Sequence, residues 1–458
     1  MTTTADLDLA FAGPVAQAQL IRDGELKPRE LVELYLRRIE ELNPRLNAYR
    51  VVLGEQALAA ADGVDTSNGG TLVGIPVAIK DDHALAGQSV TYGSKSPAPV
   101  QAADCAAVAA LRGAGAIPIG VTNVPELMAW PWTATEANGV TRNPWNLDRT
   151  PGGSSGGSAS AVAAGLASAG TATDGGGSIR IPAACCGLVG MKPTRALVST
   201  APLAEMHLGL TVIGAVARTV ADSALLLDAF TGSSAYLAAA QREPEGKLKV
   251  AISRKLPPGF MALISKDQKL AFERTGRLLE ELGHQVSERS PSYGAFSLDF
   301  TPTFFRGTAD LFDTLDDPSL TSKQTQKLAG IAHKLVSDKR RDAILARRPK
   351  TTARIMKLWD EVDVVLMPVL SSTAIAADQP TSRHPLLALD RAARFMPWNP
   401  VANMTGQPAI AIPAGIGSDG MPLSVQLVGK HGSEELLYSL ASQIQAAGGN
   451  WAPIRPEL

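Results

Sequence analysis

The hydrophobic and polar positions along the chain follow two periodicities, one typical of helices and one typical of buried strands. Over residues 27–41, apolar side chains such as Val32 and Ile39 recur at helical spacing, with charged side chains on the opposite face. This pattern predicts an amphipathic helix. Pro44 is expected to close that helix, because proline has no amide hydrogen to donate.

Short apolar runs elsewhere predict strands. Residues 74–80 form such a run and end on a single lysine, Lys80, as expected of a buried strand. The other predicted strands are 117–121, 249–253, 285–288, 362–369 and 409–413, and the other predicted helices are 105–113, 159–169, 266–282 and 433–446. Strands that alternate with helices are typical of an α/β fold with a largely parallel or mixed sheet.

The composition is that of a folded globular protein. Of the 458 residues, 45 % are hydrophobic and 19 % are charged, and 43 Lys and Arg against 44 Asp and Glu give a formal net charge of −1. Because positive and negative charges are nearly equal in number, the chain has no electrostatic reason to bind nucleic acid or an anionic membrane. Neither is expected as a partner. The three cysteines have the spacing neither of a disulfide framework nor of a zinc site, so no metal is expected.

Targeting and membrane segments are not apparent in the sequence. The first residues lack the positively charged and apolar regions of a signal peptide. Two long uncharged stretches, 151–173 and 395–418, lack the apolar composition of a membrane span, since the first is mainly Gly, Ser and Ala and the second is broken by prolines. We therefore expect a soluble, cytoplasmic protein.

Two glycine-rich segments carry the candidate chemistry. Residues 152–158 read Gly-Gly-Ser-Ser-Gly-Gly-Ser, and residues 175–178 read Gly-Gly-Gly-Ser. Such runs are often flexible linkers, but apolar segments follow both of these closely, as in loops embedded in a core. Consecutive glycines can direct several backbone amides at one point and bind the oxyanion that forms when a carbonyl is attacked. Ser178, at the end of such a nest, is a candidate nucleophile.

Two other readings of these segments compete. Residues 153–157 formally match the Gly-x-Ser-x-Gly nucleophile elbow, but that motif needs a strand directly before it, and residues 146–151 do not form one. A phosphate-binding loop would need Gly-Lys-Ser/Thr or Gly-x-Gly-x-x-Gly, and neither occurs here. We disfavour both.

Lys80 is the best candidate for the base, since none of the six histidines stands in a distinctive motif. Serine–lysine variants of the catalytic triad exist, and burial at the end of an apolar strand would lower the lysine pKa. The competing interpretation is purely structural: Lys80 would pair with Asp81 or Asp82, which follow it directly.

The glycine-rich region resembles the signature of the amidase signature family. The motifs are Gly-Gly-Ser-Ser-Gly-Gly-Ser at 152–158, Thr-Asp-Gly-Gly-Gly-Ser-Ile-Arg-Ile-Pro-Ala at 173–183 and Cys-Gly-Leu-Val-Gly-Met-Lys-Pro-Thr at 186–194. Several fixed spacings over some forty residues make the match specific. The resemblance extends to 76–81, 120–126, 141–146, 214–222, 403–409 and 426–429.

This resemblance implies a serine–serine–lysine triad. Ser178 would be the acylated nucleophile, Ser154 the bridging serine held by a cis peptide bond, and Lys80 the base that draws a proton from Ser178 through Ser154. The other assigned residues are the oxyanion-hole amides of Gly175, Gly176, Gly177 and Ser178 and the supporting side chains of Ser155, Asp174 and Arg180. Gly175 departs from the family pattern, since members often carry Thr or Ile there.

The resemblance also implies a fold. It is a single large domain over residues 1–458, with a mixed central β-sheet covered by helices on both faces. A catalytic core would occupy about 70–230 and a variable helical region about 290–350. No cofactor is implied, and a homodimer is left open.

The implied activity is that of a stand-alone bacterial amidase. It would cleave the C–N bond of a small-molecule carboxamide, aryl amide or hydrazide through an acyl-enzyme. The alternatives are the amidase-like subunit of an aminoacyl-tRNA amidotransferase, or an allophanate or carbamoyl hydrolase. Residues that could line the substrate pocket are Met128, Trp130, Trp132 and Trp398, for which core packing is an equal alternative.

Overall fold

The computed structural model describes residues 4–66, 69–448 and 455–457. The strands are β1 (Tyr49–Val52), β2 (Pro76–Lys80), β3 (Ile117–Thr122), β4 (Ala134–Thr135), β5 (Gly139–Val140), β6 (Ala169–Asp174), β7 (Val189–Lys192), β8 (Val212–Ala217), β9 (Lys249–Ile252), β10 (Gln285–Glu288), β11 (Val364–Pro368), β12 (Ala409–Ile416) and β13 (Pro422–Val428).

The helices are α1 (Thr4–Phe11), α2 (Gly13–Arg22), α3 (Pro28–Leu46), α4 (Gly54–Asp62), α5 (Ala106–Gly113), α6 (Gly156–Ala163), α7 (Arg180–Cys186), α8 (Val220–Thr231), α9 (Ala235–Ala240), α10 (Lys266–Glu281), α11 (Phe296–Phe312), α12 (Lys323–Leu335), α13 (Asp338–Met356), α14 (Pro385–Phe395), α15 (Pro400–Thr405) and α16 (Glu434–Ala446). In the described part of the chain, no helix is both long and apolar enough to cross a bilayer.

One mixed sheet organises the molecule. Its strand order is β1-β3-β2-β6-β8-β7-β12-β13-β11-β9-β10, and β4 pairs with β5 in a separate hairpin. Strand β2 runs parallel to both β3 and β6, whereas β8 is antiparallel to both β6 and β7. Every residue of β2, β3, β6 and β8 is buried, because helices cover the sheet on both sides and the strands are nearly continuous apolar runs.

Alternation along β12 shows the two covered faces. Ile410 and Ile412 pack into one hydrophobic cluster together with residues of α3, α8 and α16. Ala411 lies between them in sequence and packs into a second cluster with α6 and α7. Successive side chains of a strand point to opposite faces, so α6 and α7 lie on one side of the sheet and α8 and α16 on the other. The prediction of an α/β fold with a mixed sheet is confirmed.

The predicted limits of two helices were wrong. The helix predicted over 159–169 begins earlier, at Gly156, and ends at Ala163, and Ala169 already opens β6. A run of small residues has no apolar periodicity that separates a buried helix from a buried strand. Helix α3 is not closed by Pro44 but continues to Leu46, because a proline in the last turn removes only one amide donor.

The region predicted to be variable and helical, about 290–350, contains α11, α12 and most of α13. The domain limits proposed from the sequence stay a prediction. Residues 152–195, which carry the glycine-rich motifs, form α6, β6, α7 and β7 and their connections, in the middle of the sheet.

Gly157 shows how tightly the start of α6 is held. Its amide donates to the Asn123 carbonyl at 3.0 Å, and the Asn123 amide donates to the Ala48 carbonyl at 2.8 Å. A Cβ on Gly157 would lie 2.5 Å from both the amide nitrogen and the carbonyl oxygen of Asn123. All these neighbours are backbone atoms, which cannot rotate away.

We expect Gly157→Ala to lower the free energy of unfolding by about 1–3 kcal/mol or more, because the new methyl group meets fixed backbone. Gly330→Ala is the matched control, since a Cβ there meets nothing within 4 Å inside α12. It should be neutral or stabilising by about 0.5–1 kcal/mol. Thermal and urea unfolding of the two variants measure the difference, and equal stabilities would contradict this account of the loop.

Candidate active site

Lys80 is the last residue of β2 and is completely buried. Its Nζ lies 2.9 Å from Ser154 Oγ, 2.5 Å from Thr173 Oγ1 and 3.0 Å from Asp82 Oδ2. Lys80 and Thr173 come together because β2 and β6 are parallel neighbours, whose carboxyl ends lie at the same edge of the sheet. The ammonium or amine of Lys80 is therefore surrounded by hydrogen-bonding groups of the protein.

Burial dominates the electrostatics of Lys80. Removal from water lowers its pKa below the ordinary value, although the charges of Asp82 and Asp174 oppose that shift. Burial alone would raise the pKa of Asp82, but Lys80 and then His83 hold it well below its usual range. The structure thus contains the lysine–carboxylate pair that the structural interpretation requires, together with a serine in contact with the same lysine.

Ser154 lies in the loop before α6, and the Gly153–Ser154 peptide bond is cis. Gly153 packs directly on the backbone of residues 130–132, where a side chain would collide with the Trp130 carbonyl. Next along the chain, Ser155 is buried with its Oγ 3.4 Å from the Thr173 amide and 3.5 Å from the Thr173 carbonyl. The loop is therefore tied both to β6 and to residues 130–132.

Ser178 lies just before α7 and is the one member of the predicted triad that is partly exposed. Its carbonyl accepts a hydrogen bond from the Ser155 amide at 3.3 Å, which places the two serine loops side by side. Within the described residues, the Ser178 hydroxyl makes no hydrogen bond, including none to Ser154. The hydroxyl is free to meet a ligand.

The backbone amides around Ser178 fall into two groups. The Gly177 amide donates to Asp174 Oδ1 at 2.7 Å, so it is already occupied in this structure. The amides of Gly175, Gly176 and Ser178 make no hydrogen bond to any residue that the structure describes. The oxyanion-hole assignment stays a prediction for all four amides, of which the Gly177 amide has a protein partner in this structure and the other three have none among the described residues.

The Asp174 carboxylate and the Arg180 guanidinium form a completely buried ion pair. Arg180 Nε donates to Asp174 Oδ2 at 2.9 Å, and Arg180 Nη2 donates to Asp174 Oδ1 at 3.0 Å. The guanidinium also donates to Gln426 Oε1 and Asn403 Oδ1, both at 2.8 Å. Burial would raise the pKa of Asp174, but Arg180 outweighs it and lowers that pKa to about 2. The pair is fully hydrogen-bonded and fixes the loop that carries Ser178.

A cavity of about 540 Å³ opens beside Lys80. Its lining includes Asp82 and Thr173, the two side chains that contact Lys80 besides Ser154. Met128 and His207 line it as well. The His207 ring stacks on Phe304 at 5.6 Å.

Of the four predicted pocket residues, Met128 alone is among those that line this cavity. Trp130 and Trp132 stack on each other at 5.5 Å and are buried in a hydrophobic cluster with α11, α12 and α14. Trp398 is also buried, and its indole N–H donates to the Arg254 carbonyl at 3.3 Å. The three tryptophans are buried in this structure, and their role in the substrate pocket stays a prediction.

Sequence reasoning did not assign Thr173, His83 or His207 to the site. Thr173 directly precedes Asp174 in the signature, which was a usable signal, and Asp82 was considered only as a structural partner of Lys80. Nothing in the sequence pattern pointed to the two histidines. Across the described residues, no group of three or more His, Cys, Asp or Glu side chains is arranged to hold a metal ion.

Comparisons with known proteins identify the family to which the chain belongs. The family model described as Amidase matches residues 30–438. Putative amidase AmiB2 of Mycobacterium tuberculosis (strain ATCC 25618 / H37Rv) is 43 % identical over 460 residues, which cover 98 % of this chain and 99 % of AmiB2. The 6-aminohexanoate-cyclic-dimer hydrolase of Pseudomonas sp. (strain NK87) is 31 % identical over 487 residues, covering 97 % of this chain and 96 % of that protein.

Solved structures give the same result at the level of the fold. The structure of 6-aminohexanoate cyclic dimer hydrolase complexed with substrate superposes with a TM-score of 0.87 at 29 % identity, covering 98 % of this chain and 99 % of that one. The family model spans most of the chain, and full-length relatives exceed 30 % identity. The chain therefore belongs to the amidase signature family and is an amidase, a hydrolase that acts on amides.

Proposed function

We propose that this amidase cleaves the C–N bond of a small-molecule carboxamide, aryl amide or hydrazide through an acyl-enzyme on Ser178. The observation that carries the proposal is the 2.9 Å contact between Ser154 Oγ and Nζ of the fully buried Lys80. A lysine whose pKa is lowered by burial can accept a proton near neutrality.

In the proposed reaction, Ser178 Oγ attacks the amide carbonyl as its proton passes to Ser154 and the Ser154 proton passes to Lys80. The carbonyl oxygen becomes an oxyanion, and the amides of Gly175, Gly176 and Ser178 are placed to donate to it. Breakdown expels the amine, which takes the proton back along the same path. Water then attacks the acyl-enzyme, releases the acid and restores the Ser178 hydroxyl.

The two alternatives raised by the sequence are not favoured. Relatives that match the whole chain are putative amidases and a cyclic-dimer hydrolase. These matches do not favour an amidotransferase subunit or an allophanate or carbamoyl hydrolase. The matched hydrolase acts on a cyclic dimer, so a cyclic amide belongs in the substrate panel beside linear amides, anilides, hydrazides and esters.

Ser178→Ala should reduce kcat/KM on the best substrate of that panel at least about a thousandfold, because no acyl-enzyme can form. Ser155→Ala is the neighbouring control and should lose much less, since among the described residues its hydroxyl hydrogen-bonds only with the Thr173 backbone. Steady-state assays and mass spectrometry of quenched enzyme measure the two effects. Full activity of Ser178→Ala would refute the mechanism.

Removing Lys80 alone cannot separate a base from a structural cation. Lys80→Met leaves Asp82 as an unpaired buried carboxylate, which should cost about 3–5 kcal/mol of stability. The double variant Lys80→Met/Asp82→Asn removes both charges and should melt closer to wild type, yet remain at least about a thousandfold less active. A double variant with near wild-type activity would place the base elsewhere.

The pH dependence of kcat/KM should report the Lys80 pKa. The base works as the neutral amine, so kcat/KM should rise with pH through this pKa, and Asp82 raises the pKa. Asp82→Asn removes the negative charge, so the rising limb should move to lower pH. Asp81→Asn is the matched control, since Asp81 pairs with Arg50 at 3.0 Å instead of with Lys80. The rising limb of the pH profile of this variant should not move. A rising limb that moves to higher pH in Asp82→Asn would contradict the role of Lys80 as the base.

A further inference from the structure

His83 follows Asp82 directly and is 4 % exposed. Its Nδ1 lies 2.8 Å from Asp82 Oδ1, while the other carboxylate oxygen of Asp82 lies 3.0 Å from Lys80 Nζ. A carboxylate oxygen this close requires a proton on Nδ1, because two lone pairs facing each other would repel. Nδ1 therefore faces Asp82, and Nε2 is the ring nitrogen that is left for another partner.

The Nε2 atom of His83 is buried and has no hydrogen-bond partner among the described residues. The His83 ring nevertheless lines the 540 Å³ cavity beside Lys80. A buried polar atom without a partner destabilises the protein unless a ligand or water satisfies it. This atom thus marks one wall of the cavity as a place where a polar group of a ligand belongs.

His207 repeats this arrangement on the same cavity. Its Nδ1 lies 3.2 Å from Thr211 Oγ1, and its Nε2 is buried without a partner in the described part of the chain. Burial lowers the pKa of His207 to about 4, so this ring is neutral near neutral pH. Two imidazoles therefore each have a buried nitrogen without a partner at a cavity whose lining includes Asp82 and Thr173, the contacts of the proposed base.

The rest of the lining limits the charge of an occupant. Apolar side chains such as Val90 and Leu311 form much of the wall, and the charged residues of the lining are acidic, including Glu205 and Asp316. Among the described residues, no Lys or Arg belongs to this lining. A carboxylate-bearing ligand would meet like charge on this wall.

We propose that this cavity binds the part of the substrate remote from the scissile bond and that His83 Nε2 forms a hydrogen bond with a neutral hydroxyl or amide group there. The substrate class is then an amide with a mainly apolar body that carries a hydroxyl or a second amide N–H and no carboxylate. This inference rests on the proposed amide hydrolysis and makes His83 a specificity-determining residue.

The test uses N-acyl p-nitroanilides of graded chain length in three matched forms, ending in a hydroxyl, a methyl or a carboxylate. At one chain length the hydroxyl form should exceed the methyl form in kcat/KM by about tenfold or more, as expected for one buried hydrogen bond. The carboxylate form should be the poorest at every length. A hydroxyl form no better than its methyl twin at all lengths, or a preferred carboxylate form, overturns the proposal.

Two substitutions of His83 separate its nitrogens. His83→Asn keeps a donor near the Nδ1 position, towards Asp82, but leaves nothing at the Nε2 position, so the hydroxyl-to-methyl ratio should fall to about one. His83→Gln places its amide near the Nε2 position and should retain part of the ratio, while both substrates slow down because the contact with Asp82 is lost. The ratio compares two substrates on one enzyme, so a general loss of folded protein does not change it. An unchanged ratio in His83→Asn overturns the proposal.

A binding measurement keeps this inference distinct from the proposed function. Ser178→Ala should bind the hydroxyl anilide more tightly than the methyl anilide in calorimetry. Cleavage of the series without any preference for the hydroxyl leaves the proposed function intact and refutes the inference. Tighter binding of the hydroxyl form without cleavage by wild type supports the cavity assignment and refutes the proposed function.

Discussion

A nitrogen buried without access to water dominates this site. Charged or neutral, Lys80 Nζ must find hydrogen-bonding partners inside the protein, because an unsatisfied ammonium would cost several kcal/mol. The chain supplies Thr173 from the neighbouring parallel strand, Asp82 from the turn after β2, and Ser154 from the loop before α6. That loop comes so close to neighbouring backbone that glycine is needed at two of its positions. A Cβ on Gly153 would collide with the backbone of residues 130–132, and one on Gly157 would collide with Asn123.

A second buried charge pair, Asp174 and Arg180, holds the Ser178 loop in place, as Lys80 and its partners hold the Ser154 loop. Asp174 and Arg180 bracket the loop, and Asn403 and Gln426 tie the pair to segments more than 200 residues away. A buried pair is not by itself a source of stability. Its effect here is geometric, because Asp174 accepts from the Gly177 and Ile179 amides and so sets the course of the backbone on either side of Ser178. The Gly177 amide is thereby used for structure, which leaves its neighbours to face a ligand.

Sequence patterns predicted the elements that repeat a clear apolar period and failed where the period was absent. The limits of β3, β10 and α10 were predicted to within a residue, since these elements lie between clear breaks in pattern. The residues 156–169 contain almost only Gly, Ser and Ala, and from them no pattern could tell where α6 ends. The site residues show the same difference between those that a sequence pattern marks and those that it does not. Lys80, Ser154 and Ser178 stand in motifs, whereas His83 and His207 reach the cavity only through tertiary packing.

The two interpretations of Lys80, a structural cation and a base, do not exclude each other. Asp82 raises the pKa of Lys80, but burial lowers it by more, so the pKa lies below the ordinary lysine value even within the pair. Ser154 suits both protonation states, because its hydroxyl can accept from the ammonium or donate to the amine at the same 2.9 Å separation. An ion pair built only for stability would have no need of a third partner that reaches it through a loop held by glycines. The decisive feature is therefore the serine on the far side of the lysine, not the carboxylate beside it.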